Sequence, residues 1–236
     1  VTAAEKAYNA LTKDQLTFLT DDEHAKMQAN SARMKTLIDG EALIKAAEKA
    51  IKSLPADTKI KATDSKKLET AQDAYDKVKN SEDGLTIDPK LAEKFEASEK
   101  AYYEYEQTAQ TFRDEYLSKL PEDANAVSVT YVSAIPDART AYKALSKNAQ
   151  SFVEKNEVSH LTACEKTLKK NQSAATKVDK LIAKLPADVS AEFTSKDVKA
   201  IDAAKKAYDK LTPEQKTFLK DEQHLLDCYN KAYPEG

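Results

Sequence analysis

Tryptophan is absent from this chain of 236 residues, glycine occurs three times, proline seven times, and cysteine and methionine twice each. Each shortage removes a class of protein. Phosphate-cradling loops and the turns of a large α/β enzyme are built on glycine, and three glycines cannot supply them. No apolar run approaches the roughly 18 residues of a membrane-crossing helix, so no membrane insertion is expected within the chain. The start of the sequence carries no signal-peptide pattern. Charge of one sign is also missing: Lys and Arg number 37 against 40 Asp and Glu, for a net charge of −3. Without a basic block to track phosphates, nucleic acid is not expected as a partner.

What the chain has in abundance is Ala, Lys, Glu and Leu, the composition of long helices. With 41% hydrophobic and 33% charged residues, it can fill thin cores and not one thick core. A stack of slender bundles fits.

The sequence repeats. Ala-Tyr recurs at Tyr8, Tyr75, Tyr142 and Tyr208, and Leu-Pro recurs at Leu54, Leu120 and Leu185. The Tyr positions advance by 67, 67 and 66, and the Leu positions by 66 and 65. Two independent markers thus keep one period. Around each Tyr, apolar positions follow i, i+3, i+7, i+10: Val1, Ala4, Tyr8, Leu11; Leu68, Ala71, Tyr75, Val78; Ile135, Ala138, Tyr142, Leu145; Ile201, Ala204, Tyr208, Leu211. This is one apolar helix face, and the Tyr is expected to be its largest core residue.

A short second helix is expected after it. In Thr212-Pro213-Glu214-Gln215 a Thr N-cap precedes Pro at the first helical position, and Gln closes a capping box; Thr12-Lys13-Asp14-Gln15 repeats this without the Pro. Phe18, Phe152 and Phe218 each stand at i+10 from their Tyr and are expected to anchor the short helix against the bundle. The second copy departs here, with a turn over Asn80-Ser81-Glu82-Asp83-Gly84 and a fresh cap at Asp88-Pro89.

A long helix follows. Leu161, Cys164, Leu168, Asn171, Ala175, Val178, Ile182 and Leu185 alternate steps of 3 and 4, which predicts a helix over 157–185. Similar runs extend over 89–120 and 22–54. In the last, the apolar phase shifts around Gly40, predicting a kink or register change. Leu-Pro stops each run. Val127–Val132 has strand propensity but reads as a loop followed by a helix entry, with Pro136 near the first turn. Each long helix outruns one small bundle, so it is expected to close one module and open the next. The fold class is all-α: tandem three-helix bundles joined by long shared helices, a spectrin-like array. The modules are 1–41 (partial, lacking its opening helix), 42–105, 106–171 and 172–236. Because Val1 aligns with Ile201 midway along the Tyr helix, the chain reads as a fragment.

At Lys180-Leu-Ile-Ala-Lys-Leu-Pro186, Ile201-Asp-Ala-Ala-Lys-Lys-Ala-Tyr-Asp-Lys-Leu211 and Thr212-Pro-Glu-Gln-Lys-Thr-Phe-Leu219, the sequence resembles the helical repeats strung in tandem in large secreted and wall-attached proteins of Gram-positive bacteria. The final module carries most of the match. The first module matches over its second half, the third more loosely and the second poorly beyond Tyr75. The resemblance implies an extracellular, wall-associated or secreted spacer or interaction module without an active site. Its partners would be neighbouring domains of the same polypeptide, or a host or cell-wall protein or glycan.

Residues with chemical potential read mainly as structural. His24, His160 and His224 share one place in their modules, just inside a long helix, and are expected to be inherited with the repeat; no His-x-x-x-His or Cys pair accompanies them. Cys164 and Cys228 are expected as small core residues, not as a disulfide. The many carboxylates lack a glycine-rich loop, nucleophile elbow or His/Asp cluster beside them, so neither catalysis nor a cofactor is expected. Tyrosines concentrate in Tyr102, Tyr103, Tyr105 and Tyr116. Tyr102 and Tyr105 fit the seam with Leu91, Phe95, Ala109 and Phe112, whereas Tyr103 falls off it. As tyrosine offers contact area at low entropic cost, Tyr102, Tyr103 and Tyr105 are the candidate binding residues, for an adhesin alternative to the stalk.

Overall fold

A computed structural model describes residues 2–234. Val1, at the head of the first seam, and the last two residues of the fourth module lie outside the described residues. Among the described residues there are eleven α-helices, several 3-10 turns and no strand. The chain divides into two compact units, one up to Glu106 and one from Gln107 onward.

The first unit contains α1 (Thr2–Asn9), α2 (Lys13–Leu16), α3 (Asp21–Ser53), α4 (Ser65–Lys79) and the first part of α5 (Pro89–Glu115). Thr12 and Gln15 form the expected capping box, as do Thr20 and Glu23 at the head of α3, so orphan amides at both helix starts are satisfied. Asp88 accepts from the Lys90 amide at 2.8 Å and starts α5. The core is Ile51, Leu54, Leu68, Ala71 and Phe95. Lys94 reaches from α5 to the Ile51 and Lys52 carbonyls at 3.0 and 3.2 Å, supplying donors to the open carbonyl end of α3. Buried Ser98 donates to the Pro55 carbonyl at 3.2 Å.

Gly40 has a different role from the one its phase shift suggests. The helix runs unbroken through it. A Cβ at that position would meet the Leu85 Cδ2 at 3.0 Å, so the glycine makes room for Leu85. The phase shift has its own cause. Leu54 stands at i+30 from His24, but Leu185 only at i+25 from His160. Five extra helical positions rotate the apolar stripe by about 140° beyond a full turn. Leu37 and Ile38 lie in that interval and are solvent-exposed.

The second unit holds the end of α5, α6 (Ala134–Ala144), α7 (Lys147–Gln150), α8 (Lys155–Ile182), α9 (Ser195–Tyr208), α10 (Pro213–Lys216) and α11 (Glu222–Ala232). α8 buries Leu161, Cys164, Leu168, Asn171, Ala175, Val178 and Ile182, the stripe expected from the 3-4 spacing. Its first half shares a core with Leu120, Val127, Ile135 and Ala138. Its last turns share another with Leu185, Ile201, Ala204, Leu225 and Cys228. The long helices stop slightly short of the residues expected: α8 ends at Ile182 and α5 at Glu115, with a 3-10 turn over Leu117–Lys119 completing the approach to Leu120-Pro121. Val127–Val132 forms no strand; Val127 is fully buried and Val129–Tyr131 is a 3-10 turn.

Two expectations are corrected. The repeated Tyr is not the core residue of its helix: Tyr8, Tyr75, Tyr142 and Tyr208 are all half-buried. In the last three repeats the fully packed positions are the apolar residue seven before it and the Ala four before it, as in Ile135 with Ala138 and Ile201 with Ala204. A phenol must keep its hydroxyl near a polar partner, so it sits at the rim; Tyr8 bonds His24 and Tyr208 donates to Glu222. Nor do all three Phe residues anchor a bundle. Phe152 is buried and Phe218 packs onto the Leu161 core, but Phe18 is 86% exposed.

Candidate functional site

Of the tyrosine cluster, Tyr102 and Tyr103 occupy the face of α5 turned toward α4. Tyr102 packs against the Phe95 core, and its ring meets that of Tyr103 edge-on, with centroids 5.7 Å apart. Tyr103 is 56% exposed. Burial, then the neighbouring Glu106 carboxylate, push the Tyr102 hydroxyl above its ordinary pKa, while a hydrogen bond with Ser65 pulls the other way. Both rings line a groove of about 320 Å³. Its other walls include Glu69, Asp73, Glu99 and Glu106, so its field favours cations, and an exposed aromatic face adds a cation–π surface. Tyr105 is half-buried and does not line the groove. The structure therefore brings together two of the three candidate residues. Tyr116 belongs to the second unit, stacked on Phe112 and packed against the Leu161 core.

A larger groove, about 550 Å³, lies between the end of α8 and the start of α11. Asp179, Lys180, Lys220, Asp221 and His224 contribute its polar lining. Sequence reasoning missed it because these side chains come from segments far apart in the chain and form no local motif. Its carboxylates already have work: Asp179 accepts from the Lys220 amide at 3.1 Å, and Asp221 caps α11 through the His224 amide at 3.3 Å.

His160 and Cys164, and likewise His224 and Cys228, stand one helical turn apart, the spacing a base and a nucleophile could use. In the first pair the geometry does not activate the thiol. His160 Nε2, 3.6 Å from the Cys164 sulfur, lies 2.8 Å from the Pro121 carbonyl. That carbonyl can only accept, so Nε2 carries the proton and cannot take one from the thiol. Burial raises the thiol pKa of both cysteines, which disfavours the nucleophilic thiolate. Both are free and buried. The third histidine, His24, bonds the Tyr8 hydroxyl at 2.6 Å and the Leu16 carbonyl at 3.0 Å, tying α3 to the two helices before it.

Among the described residues, no group of three or more His, Cys, Asp or Glu could hold a metal ion, and no helix is long and apolar enough to cross a membrane. Comparison with profiles of known protein families, with curated proteins and with solved structures finds no match.

Proposed function

We propose that this chain is a non-catalytic spacer: a tandem array of three-helix bundles joined by shared helices, within a larger extracellular protein of a Gram-positive surface. The observation that carries this reading is the double duty of α8. One unbroken helix supplies Leu161, Cys164 and Leu168 to one core and Val178 and Ile182 to the next. Between them, buried Asn171 donates to the Val127 carbonyl at 2.8 Å and accepts from Gln215 at 3.3 Å. A lone bundle of about 66 residues is marginal by itself, and a helix common to two cores couples their stabilities. Such coupling suits a part that must transmit tension. The surface location rests on the resemblance of the repeat motif.

Single-molecule stretching from the two chain ends tests it. A spacer gives a repeatable series of unfolding events at substantial force, with adjacent bundles of the second unit lost together. Unfolding one bundle at a time at near-zero force would remove the mechanical reading.

A second reading, an adhesin module, is favoured by one observation: Tyr103 stands exposed at an acidic groove. Its ligand would present a cationic group, such as a lysine-rich peptide segment of a host or wall protein, or an amino sugar. Titration with cationic peptides and amino-sugar glycans against the chain and its Tyr103→Ala variant decides it. Binding lost in the variant supports an adhesin; absence of binding leaves the spacer.

A further inference from the structure

We infer that the groove beside Tyr103 takes the guanidinium of an arginine carried by another protein, seated on Glu99 at the place where the third and fourth copies seat a cation of their own. This deepens the adhesin reading above, on which it rests, by naming the head group and the carboxylate that receives it. Its warrant is one site seen in three copies, filled from within the chain in two and open in the other.

Two positions define the site. One stands three residues before the repeated Tyr, and is Gln72, Arg139 and Lys205 in the second, third and fourth copies. The other stands four residues after buried Phe95, Leu161 and Leu225, and is Glu99, Glu165 and Tyr229. The register is fixed by the residue just before it, fully buried in all three copies as Ser98, Cys164 and Cys228. In the third copy Arg139 of α6 forks onto Glu165 of α8, with Nε donating to one carboxylate oxygen at 2.7 Å and Nη2 to the other at 2.8 Å. Its guanidinium carbon also lies 5.7 Å from the centre of the Tyr142 ring. In the fourth copy the Lys205 ammonium of α9 lies 4.9 Å from the centre of the Tyr229 ring of α11 and 5.8 Å from that of Tyr208. Both copies thus place a cation at the same point. In the first copy, counted from His24 as Glu165 is from His160, the long helix carries Ala29 and offers no carboxylate there.

The second copy keeps the carboxylate and omits the cation. Gln72 stands in place of the arginine, and its amide turns along its own helix to Asp76 at 2.9 Å. Gln72 and Glu99 both line the groove of about 320 Å³, with Glu69, Asp73 and Glu106 and with no basic side chain. None of these four carboxylates takes part in an ion pair among the described residues. Like charges gathered in one place repel, and a cation entering the groove relieves here what Arg139 relieves in the third copy. The shape of the groove chooses between cations. Tyr102 and Tyr103 present their rings at 89° to one another, beside the Glu99 carboxylate. An ammonium can lie on a ring, as Lys205 does, but it cannot fork onto a carboxylate. A planar guanidinium does both at once. The occupant is accordingly an arginine side chain on an exposed segment of the bound protein.

The test is a titration of the whole chain with capped glycine peptides that carry one central arginine, lysine or citrulline. It is followed through the ring resonances of Tyr102 and Tyr103 in about 0.15 M salt. The inference expects the arginine peptide to bind at least about tenfold more tightly than the lysine peptide, and the neutral citrulline peptide not to bind. Glu99→Gln keeps the shape and removes the charge, and should weaken arginine binding at least about tenfold. Gln72→Arg supplies the cation from within, and should raise the unfolding temperature and abolish peptide binding. Equal binding of the lysine and arginine peptides overturns the guanidinium assignment and leaves the adhesin reading standing. Arginine binding that is lost in Tyr103→Ala but survives in Glu99→Gln and Gln72→Arg overturns the seat at Glu99 and also leaves that reading standing. Binding of none of the three peptides overturns the inference, and if amino-sugar glycans fail as well, the adhesin reading falls with it. Should Glu99→Gln not fold, Gln72→Arg decides: a variant no more stable than the native chain that still binds the arginine peptide overturns the inference.

Discussion

Gln215 donates its side-chain amide to the side-chain oxygen of Asn171 at 3.3 Å, and both residues are buried. The other end of the Asn171 amide is held by the Val127 carbonyl. Asn171→Ala removes the partner of both groups at once. A buried polar group left unmatched costs about 1–3 kcal/mol, so the variant should lose about 2–4 kcal/mol in urea unfolding. Gln215→Ala gives up this bond and also the oxygen that accepts from the Thr212 amide, so it should lose a comparable amount, about 1–3 kcal/mol. No loss in either variant would show that the pair is not held in solution.

Breaking α8 tests whether it couples its two cores. Ala175→Pro places a residue without an N–H at a buried position between them, at a cost of about 3 kcal/mol or more. Each core carries its own thiol, Cys164 in one and Cys228 in the other. With the native helix, both thiols should become reactive at one denaturant concentration. In the variant they should react at two, and a single unchanged transition would refute the shared helix.

The contact between Gly40 and Leu85 predicts a change of sign. Gly40→Ala gains about 1 kcal/mol in helix propensity, but its Cβ meets Leu85 at 3.0 Å, and overpacking typically costs about 1–3 kcal/mol. The single variant should therefore be neutral to about 1–2 kcal/mol destabilised. In a Leu85→Ala background the same substitution should stabilise by about 1 kcal/mol. A double-mutant cycle by thermal unfolding reads the difference directly.

Tyr208 donates to the Glu222 carboxylate, and this hydrogen bond, together with burial and the carboxylate charge, pushes its pKa up to about 12. The folded value lies above the ordinary tyrosine value of about 10. The bond's contribution to stability is thus fully present below about pH 10 and is lost as pH rises through about 12. Phenolate absorbance should show a late-titrating component that loses one tyrosine in Tyr208→Phe, and in Glu222→Gln that tyrosine should move back toward the ordinary value.

The parts of this fold legible in the sequence are those set by local period and local chemistry. The α8 stripe, the Thr12 and Thr212 capping boxes and the Asp88 start each depend on residues within a turn or two. The parts that are not legible depend on what lies across the bundle. A 3-4 spacing places Tyr142 on the inner face but does not give its depth, and its hydroxyl keeps it at the rim. Nothing local to Gly40 announces Leu85, which arrives from the loop between α4 and α5. Phe18 and Phe218 are locally alike and differ only in whether another bundle stands beside them. At the tyrosine cluster, the seam identifies Tyr103 as the outward residue, while the acidic walls come from α4 and from neighbouring turns of α5.

Repeats with matching apolar seams carry a hazard while they fold, because a segment from one copy can close the wrong bundle. Hydrophobic faces alone discriminate poorly between such neighbours. At the place of Gln215, i+7 from the repeated Tyr, the second and third copies carry Glu82 and Ala149. Mispaired against α8, Ala149 would strand the Asn171 amide, and Glu82 would bury a carboxylate beside its oxygen, either of which raises the free energy of the wrong partner. The single polar position in an otherwise apolar stripe acts as an address against those two copies, which it keeps from closing on α8, while the first copy carries Gln15 at the same place.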